Sequence, residues 1–261
     1  MPFPRDAIPA PLVGHVASLD VPPPRPLPST FFDAPMTDLC RKAYKFVLEF
    51  LPGWAANHSF RTYAFALAIA HYAGWDEGEK AERFGFDKEQ IWLACALHEL
   101  GFDQKHAVHS RLSLEIWSGI KAREWILDQR EDFVSSPTNR SLQDLVDYAD
   151  EACEAIARHT IEFRGFSRRV RLTGALVALG SGQDLMGLSS ASIHPDTIRV
   201  ICERWPRIGY CDGLREVAKR EVQKPACLFE DCVEAFDPGM YDVEAYRGMQ
   251  GELKDDRSQS A

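Results

Sequence analysis

Apolar residues recur at helical spacing through almost all of residues 37–222. The first such segment starts after Thr37, a residue type that caps helix N-termini, and stops at Pro52, which cannot continue a helix. Because there is neither β-alternation nor an internal repeat, the pattern predicts an all-α fold, an irregular helical bundle. The predicted helices cover residues 37–51, 57–72, 87–100, 110–127, 141–161, 169–179, 195–205 and 209–222.

Prolines are concentrated at one end of the chain, where ten of the sixteen occur in residues 1–36. Proline removes a backbone donor and fixes φ, so this density predicts an extended N-terminal arm. The arm is either a mobile tail or packs through Phe3, Phe31 and Phe32 on the body or on a second subunit, which would make the protein a homo-oligomer. The predicted organisation is an arm over residues 1–36, a helical domain over 37–247 and a disordered polar tail over 248–261.

Composition restricts the classes of partner. The formal net charge is −9 and basic residues cluster only in the short Arg168-Arg169-Val170-Arg171 stretch, which argues against nucleic acid and favours a small-molecule ligand. No apolar run approaches the ~20 residues that cross a bilayer, and the N-terminus lacks the features of a secretory signal. The seven cysteines form no CxxC pair, as expected of reduced thiols. We therefore expect a cytoplasmic protein without a membrane partner.

Three metal-ligand residue types occur where two predicted helices could bring them together. His58 opens one helix, and the adjacent His98 and Glu99 close another. Imidazole nitrogen and carboxylate oxygen suit zinc, iron or manganese. A single helical histidine is more often a core or surface residue, so the combination carries the prediction of a metal site.

These residues resemble the HD-domain metal-dependent hydrolases, whose hallmark is an isolated histidine, a later His-Asp pair and a distant aspartate around a metal. Within that superfamily the chain is most similar to the fungal cyanamide hydratase group. The resembling segments are Asn57–Arg61, Leu97–Gly101, Ser113–Ile116, Glu154–Thr160 and Gly180–Gly187.

The resemblance covers roughly residues 37–225 and implies an HD-type helical bundle with one divalent metal ion, usually zinc, with iron as the other expectation. It implies a hydro-lyase that adds water across the carbon–nitrogen triple bond of a small nitrile or cyanamide-like substrate. Carried over by position, the metal ligands would be His58, His98, Glu99 and Asp184.

Glu99 departs from the family, which has aspartate at this position. The extra methylene moves the carboxylate by roughly one C–C bond length, against a tolerance of about 0.2 Å in a metal site. Glu99 either ligates the metal with an adjusted backbone, or stands back as a catalytic proton-transfer group, or marks the loss of the metal.

The remaining histidines have catalytic and substrate-binding interpretations. Adding water to a nitrile requires a proton donor for the substrate nitrogen, and histidine titrates in the working range. His159 is the expected donor because it lies in the family-like segment at the end of a predicted helix. We expect Thr160 to bind substrate through a hydrogen bond and His106 and His109, in a predicted loop, to line the pocket mouth.

Three other functions remain open from the sequence. An HD-type phosphohydrolase would use the same ligands, with Arg61 and the Arg168–Arg171 stretch binding phosphate. A metal-free HD-like binding protein would bind no metal. A two-iron oxygenase would recruit His159 and either His106 or His109 to a second metal.

Overall fold

Helices make up nearly all the regular structure that the computed structural model describes, which comprises residues 6–9, 12–103, 110–134, 140–162, 169–224 and 246. The helices are α1 (Leu12–Ala17), α2 (Asp38–Phe50), α3 (Gly53–Ala73), α4 (Gly78–Phe84), α5 (Lys88–Leu97), α6 (Leu114–Asp128), α7 (Arg130–Val134), α8 (Leu142–Glu162), α9 (Leu172–Met186), α10 (Pro195–Arg204) and α11 (Tyr210–Glu221). Short 3-10 turns occur at Ser29–Phe32, Leu100–Phe102 and Ser190–Ser192, and the strands β1 (Ile8–Pro9) and β2 (Arg169–Val170) form one antiparallel pair. The prediction of an all-α fold is confirmed.

Several helix ends differ from the prediction, and two of these differences matter for the site. The predicted helix ending at residue 179 continues as α9 to Met186, because Gly180 packs against α3 instead of breaking the helix. Conversely, α5 ends at Leu97 instead of residue 100, so that Glu99 has φ −107° and ψ 21° and leaves the helical path. The short helices α1, α4 and α7 were not predicted, since they are too short to show a convincing apolar stripe.

The helix α3 occupies the centre of the bundle. It packs against α9 and α5, while α8 packs against α6 and α9. Nearly every side chain of α3 from Ala55 onward is buried, so its apolar residues extend all round the helix. Although α3 and α8 are each 21 residues long, the described residues include no helix that is long and apolar enough to cross a membrane.

The N-terminal arm packs on the body of the protein. Ile8 pairs with Val170 in the two-stranded sheet, and the arm residues Leu12, Val16 and Phe32 are buried. The arm is not extended throughout, because α1 forms in the stretch between Pro11 and Pro22, where no proline interrupts the backbone hydrogen bonds.

The crossing of α3 and α9 depends on a glycine. A Cβ atom built at Gly180 would lie 2.2 Å from the backbone oxygen of Thr62 and 3.1 Å from the backbone nitrogen of Ala66. Such a distance to backbone is not relieved by a side-chain rotation. Gly180 therefore allows the two helices to approach closely enough to place His58 opposite Asp184, at 2.6 Å between Nδ1 and Oδ2.

We expect Gly180→Ala to lower the free energy of unfolding by roughly 2–3 kcal/mol, because the added methyl group forces the two backbones apart. Gly53→Ala is the matched control, since a Cβ at Gly53 in α3 meets nothing within 4 Å. Urea unfolding of both variants measures the difference. Equal stability of the two variants would contradict the close approach.

Candidate metal centre

Three of the predicted ligands converge in the core. One ligand atom from each of His58, His98 and Glu99 lies within 4.8 Å of the others, and all three residues are at most 3% exposed. His58 comes from the N-terminal part of α3, whereas His98 and Glu99 follow the last residue of α5. The packing of α3 on α5 therefore brings together residues about 40 positions apart in sequence.

Glu99 reaches both histidines because the chain leaves the helix at this point. Its Oε1 atom lies 3.2 Å from Nε2 of His58 and 3.1 Å from Nε2 of His98. The two imidazole rings are 5.1 Å apart between centroids. The longer side chain of glutamate thus places one oxygen between two nitrogen atoms, which is the arrangement of a three-donor cation site.

The hydrogen bonds within the cluster favour metal binding. Nδ1 of His98 lies 2.7 Å from the backbone oxygen of Cys95 and donates to it, which leaves the lone pair of the neutral ring on Nε2. Among the described residues, His98 Nε2 and Glu99 Oε2 have no aligned hydrogen-bond partner although both are buried. A buried polar atom without a partner costs about 1–3 kcal/mol. A divalent cation coordinated by these atoms would satisfy them, so the residues present fit a metal ion.

The electrostatics of the cluster also favour a cation. Burial would raise the pKa of Glu99, but the nearby imidazoles of His98 and His58 lower it to about 2. Burial would lower the pKa of His58, but its hydrogen bonds to the carboxylates of Asp184 and Glu99 raise it above the ordinary value. The two carboxylates beside His58 therefore favour positive charge at this point of the cluster.

Asp184 lies outside the group of three, on the other side of the His58 ring. Its carboxylate accepts a hydrogen bond from His58 Nδ1 at 2.6 Å, two from Arg61 at 2.8 Å each and one from Arg207 at 2.5 Å. Asp184 and the two arginines thus form a group that orients His58. The prediction that Asp184 itself coordinates a metal stays a prediction. The two arginines hold the pKa of Asp184 far below its ordinary value, despite its burial.

Sequence reasoning missed the role of both arginines. Arg61 is fully buried, and its remaining donor group binds the backbone oxygens of Trp205 and Pro206 at 2.9 and 3.0 Å. Arg207 also donates to the backbone oxygen of Asp184 at 2.7 Å. A charged residue three positions after His58, on the same face of an otherwise apolar helix, was the available signal for Arg61.

His159 lies next to the cluster, and the proton-donor role predicted for it stays a prediction. Its ring is 5.1 Å from that of His98, nearly perpendicular to it, and its Nδ1 donates to the backbone oxygen of Ile156 at 2.7 Å. Burial and the charge of His98 lower the pKa of His159 to about 4. A neutral ring with its proton on Nδ1 accepts a proton at Nε2 and has none to donate there.

A buried carboxyl group near Thr160 was not identified from the sequence. Thr160 donates a hydrogen bond of 3.0 Å to Oε1 of Glu115, and the other oxygen of Glu115 has no partner among the described residues. Burial raises the pKa of Glu115 to about 7, and the charge of Glu99 acts in the same direction. Glu115 is therefore a group that can hold or release a proton near neutral pH, beside the predicted substrate-binding residue.

A groove of the protein lies apart from the described cluster. His106 and His109 lie outside the described residues. A groove of about 480 Å³ lies on the opposite face of α8, where residues such as Asp150, Glu154 and Arg171 line it. The described cluster is thus an enclosed site and not part of that groove.

Comparison with known proteins agrees with the geometry. Residues 55–187 match the HD domain family, and this span includes all three cluster residues together with Glu115, His159 and Asp184. Two cyanamide hydratases of Saccharomyces cerevisiae, DDI2 and DDI3, are each 25% identical over 199 residues, covering 75% of this chain and 78% of the yeast protein.

We expect Glu99→Asp to weaken zinc binding at least tenfold, because the shorter side chain withdraws the carboxylate by roughly 1.5 Å from the point between the two histidines. Glu154→Gln is the control, since this glutamate is exposed on α8. Competition with a chromophoric chelator measures both dissociation constants. Undiminished affinity of the aspartate variant would show that the site is not built around glutamate.

We expect Glu115→Gln to flatten the dependence of stability on pH. The folded pKa of Glu115, about 7, lies above its ordinary value of 4.5, so stability present below pH 4.5 is lost as the pH rises through 7. The loss amounts to roughly 3 kcal/mol at about 1.4 kcal/mol per pKa unit. Urea unfolding between pH 5 and 8 measures it, and equal slopes for wild type and variant would contradict the prediction.

Proposed function

The chain belongs to the HD domain family, and from this premise we propose that it is a metal-dependent hydratase that adds water to a small nitrile or cyanamide-like substrate. The observation that carries the proposal is the buried group formed by His58, His98 and Glu99. The choice of reaction is supported by the similarity to the two yeast cyanamide hydratases.

The ligand set proposed for the cation consists of His58 Nε2, His98 Nε2 and the Glu99 carboxylate, with Asp184 holding His58 from behind. When bound, a divalent ion such as zinc or iron would act as a Lewis acid that lowers the pKa of water to near neutrality. Three protein donors leave a coordination position for water and substrate. Asp184 and the backbone oxygen of Cys95 fix the two rings so that both present Nε2 to the same point.

Addition of water across a carbon–nitrogen triple bond transfers the elements of O–H to carbon and H to nitrogen, so one group must take a proton and one must supply it. In our proposal His159, neutral and carrying its lone pair on Nε2, takes a proton from the water whose oxygen bonds to the substrate carbon, and Glu115 supplies a proton to the substrate nitrogen. The first product carries O–H on carbon and N–H on nitrogen and becomes the amide when one proton moves from oxygen to nitrogen. A proton passes from His159 back to Glu115 before the next turnover. The raised pKa of Glu115 keeps part of its population protonated near neutral pH. Thr160, bound to Glu115, positions this carboxyl group.

The enclosure of the cluster supports a small substrate. Its three ligands are at most 3% exposed, which suits a molecule of a few atoms better than a nucleotide. Among the described residues, two of the arginines named for phosphate binding already pair with carboxylates. Arg61 is bound to Asp184, and Arg171 pairs with Glu151 at 3.1 Å, beside the groove on the far face of α8.

The test is metal content and turnover of the purified protein, measured for wild type, His98→Ala and the control His71→Ala, an exposed histidine of α3. We expect the wild-type protein to contain one equivalent of zinc or iron and to convert cyanamide to urea. The decrease of the C≡N infrared band measures this conversion. His98→Ala should lose the metal and at least about a thousandfold in rate, the value of several kcal/mol of metal stabilisation. His71→Ala should retain both.

Other outcomes would select another function. Turnover of phosphate esters but not of nitriles would favour the phosphohydrolase. Two equivalents of iron with oxygen-dependent turnover would favour the oxygenase. Absence of metal after reconstitution would favour the binding protein, and full activity of His98→Ala would exclude the proposed centre.

A further inference from the structure

Tyr246 is buried against the group formed by Asp184, Arg61 and Arg207, which orients His58 and is called the supporting layer below. It is 0% exposed, its hydroxyl donates to the backbone oxygen of Gln183, and the Gln183 side chain donates back to that hydroxyl at 3.2 Å. The guanidinium of Arg207 lies 4.2 Å from the centre of the Tyr246 ring. Gln183 directly precedes Asp184 in α9, so Tyr246 contacts this layer from two sides.

The contact of Tyr246 with Arg207 stabilises the supporting layer, because the charges in direct contact with each other there do not balance. One carboxylate, Asp184, faces the two guanidinium groups of Arg61 and Arg207, all of them buried. Aromatic ring faces carry partial negative charge and attract a cation. Arg207 lies 4.6 Å from the ring of Tyr210 and closer still to that of Tyr246, so both rings compensate the excess positive charge.

We propose that Tyr246 is a positioning residue of the metal centre. Its ring holds Arg207 on Asp184, and Asp184 in turn holds the Nδ1 proton of His58, so that Nε2 of His58 points to the metal position. This inference rests on the proposed metal centre but not on the identity of the substrate.

The physical effect passes through two contacts. Loss of the ring removes a cation–π partner and opens space beside Arg207, which then moves from the Asp184 Oδ1 atom that it contacts at 2.5 Å. Asp184 keeps its hydrogen bonds to Arg61 but loses the one from Arg207, so its carboxylate is held less firmly. The His58 ring can then rotate more freely. Partners that orient a metal ligand typically contribute 10–100-fold to metal affinity.

The test compares Tyr246→Leu with Tyr246→Phe. The leucine variant removes the ring, whereas the phenylalanine variant keeps the ring on Arg207 and removes only the hydroxyl. We expect the leucine variant to bind zinc about tenfold more weakly and the phenylalanine variant to stay within about threefold of wild type. Competition with a chromophoric chelator gives both values.

Phe133→Leu is the matched control for general destabilisation. Phe133 is also a buried aromatic residue with an arginine above its ring, Arg140 at 4.8 Å, and it packs on Tyr148. Tyr148 contacts Asp87, the N-cap of α5, whereas the metal cluster lies at the opposite end of that helix. We expect Phe133→Leu to lose stability in urea without a change in zinc affinity.

A second measurement does not require metal. The Nδ1 proton of His58, donated to Asp184 at 2.6 Å, should exchange slowly with water in the NMR spectrum of the apoprotein. We expect its exchange to accelerate at least tenfold in Tyr246→Leu and to remain slow in Tyr246→Phe and Phe133→Leu.

Wild-type exchange and affinity in the folded leucine variant would overturn the proposal, as would equal losses in the Phe133 control. A wild-type protein that binds zinc but hydrates no nitrile would disprove the proposed reaction and leave this test intact. A wild-type protein that binds no metal would disprove the metal centre, and the exchange of the His58 proton would then decide the positioning role alone.

Discussion

The buried carboxylate of Asp184 is the contact on which the rest of the site depends. It accepts hydrogen bonds from His58 and Arg61 of α3 and from Arg207, which follows α10. Desolvating these charges is costly and is repaid only when nearly every donor and acceptor has a partner. Removing Asp184 would leave uncompensated positive charge in the core. The helix α3 and the segment that follows α10 therefore have to meet at one point of α9. The close approach at Gly180 makes that meeting possible.

Two different contacts make both histidines of the cluster present equivalent nitrogen atoms. An imidazole ring has two nitrogens, and the group bound to one decides what the other can do. Asp184 binds Nδ1 of His58, and a backbone oxygen binds Nδ1 of His98. In both residues Nε2 therefore faces Glu99. The carboxylate of Asp184 and the backbone carbonyl of Cys95 thus both fix the orientation of a histidine ring. Only the carboxylate also favours a positive charge on the ring that it binds.

Much of this arrangement was predictable because it depends on local patterns. The long helices follow from apolar spacing, whereas the grouping of His58 with His98 and Glu99 was predicted from residue types at helix ends together with the resemblance to the HD family. The contacts of Asp184 with Arg61 and Arg207 were not predictable, because they join residues more than 120 and 20 positions apart through side-chain reach and burial. Local spacing carries no information on such pairs. The acceptor role that we propose for His159 was not predictable for a related reason, since the backbone oxygen that binds its Nδ1 becomes known only with the fold.

The balance of charge connects these observations to chemistry. With both histidines neutral, the charges of Arg61 and Arg207 cancel those of Asp184 and Glu99, and Glu115 is largely uncharged below neutral pH because burial raises its pKa to about 7. A divalent cation added to this neutral and enclosed region would bring its full double charge into a medium that screens poorly. Such a site would favour hydroxide over water as a bound ligand. The excess positive charge beside Asp184, which the rings of Tyr210 and Tyr246 compensate locally, also offsets the carboxylate of Glu99 and keeps the region receptive to the negative charge that develops when water is deprotonated.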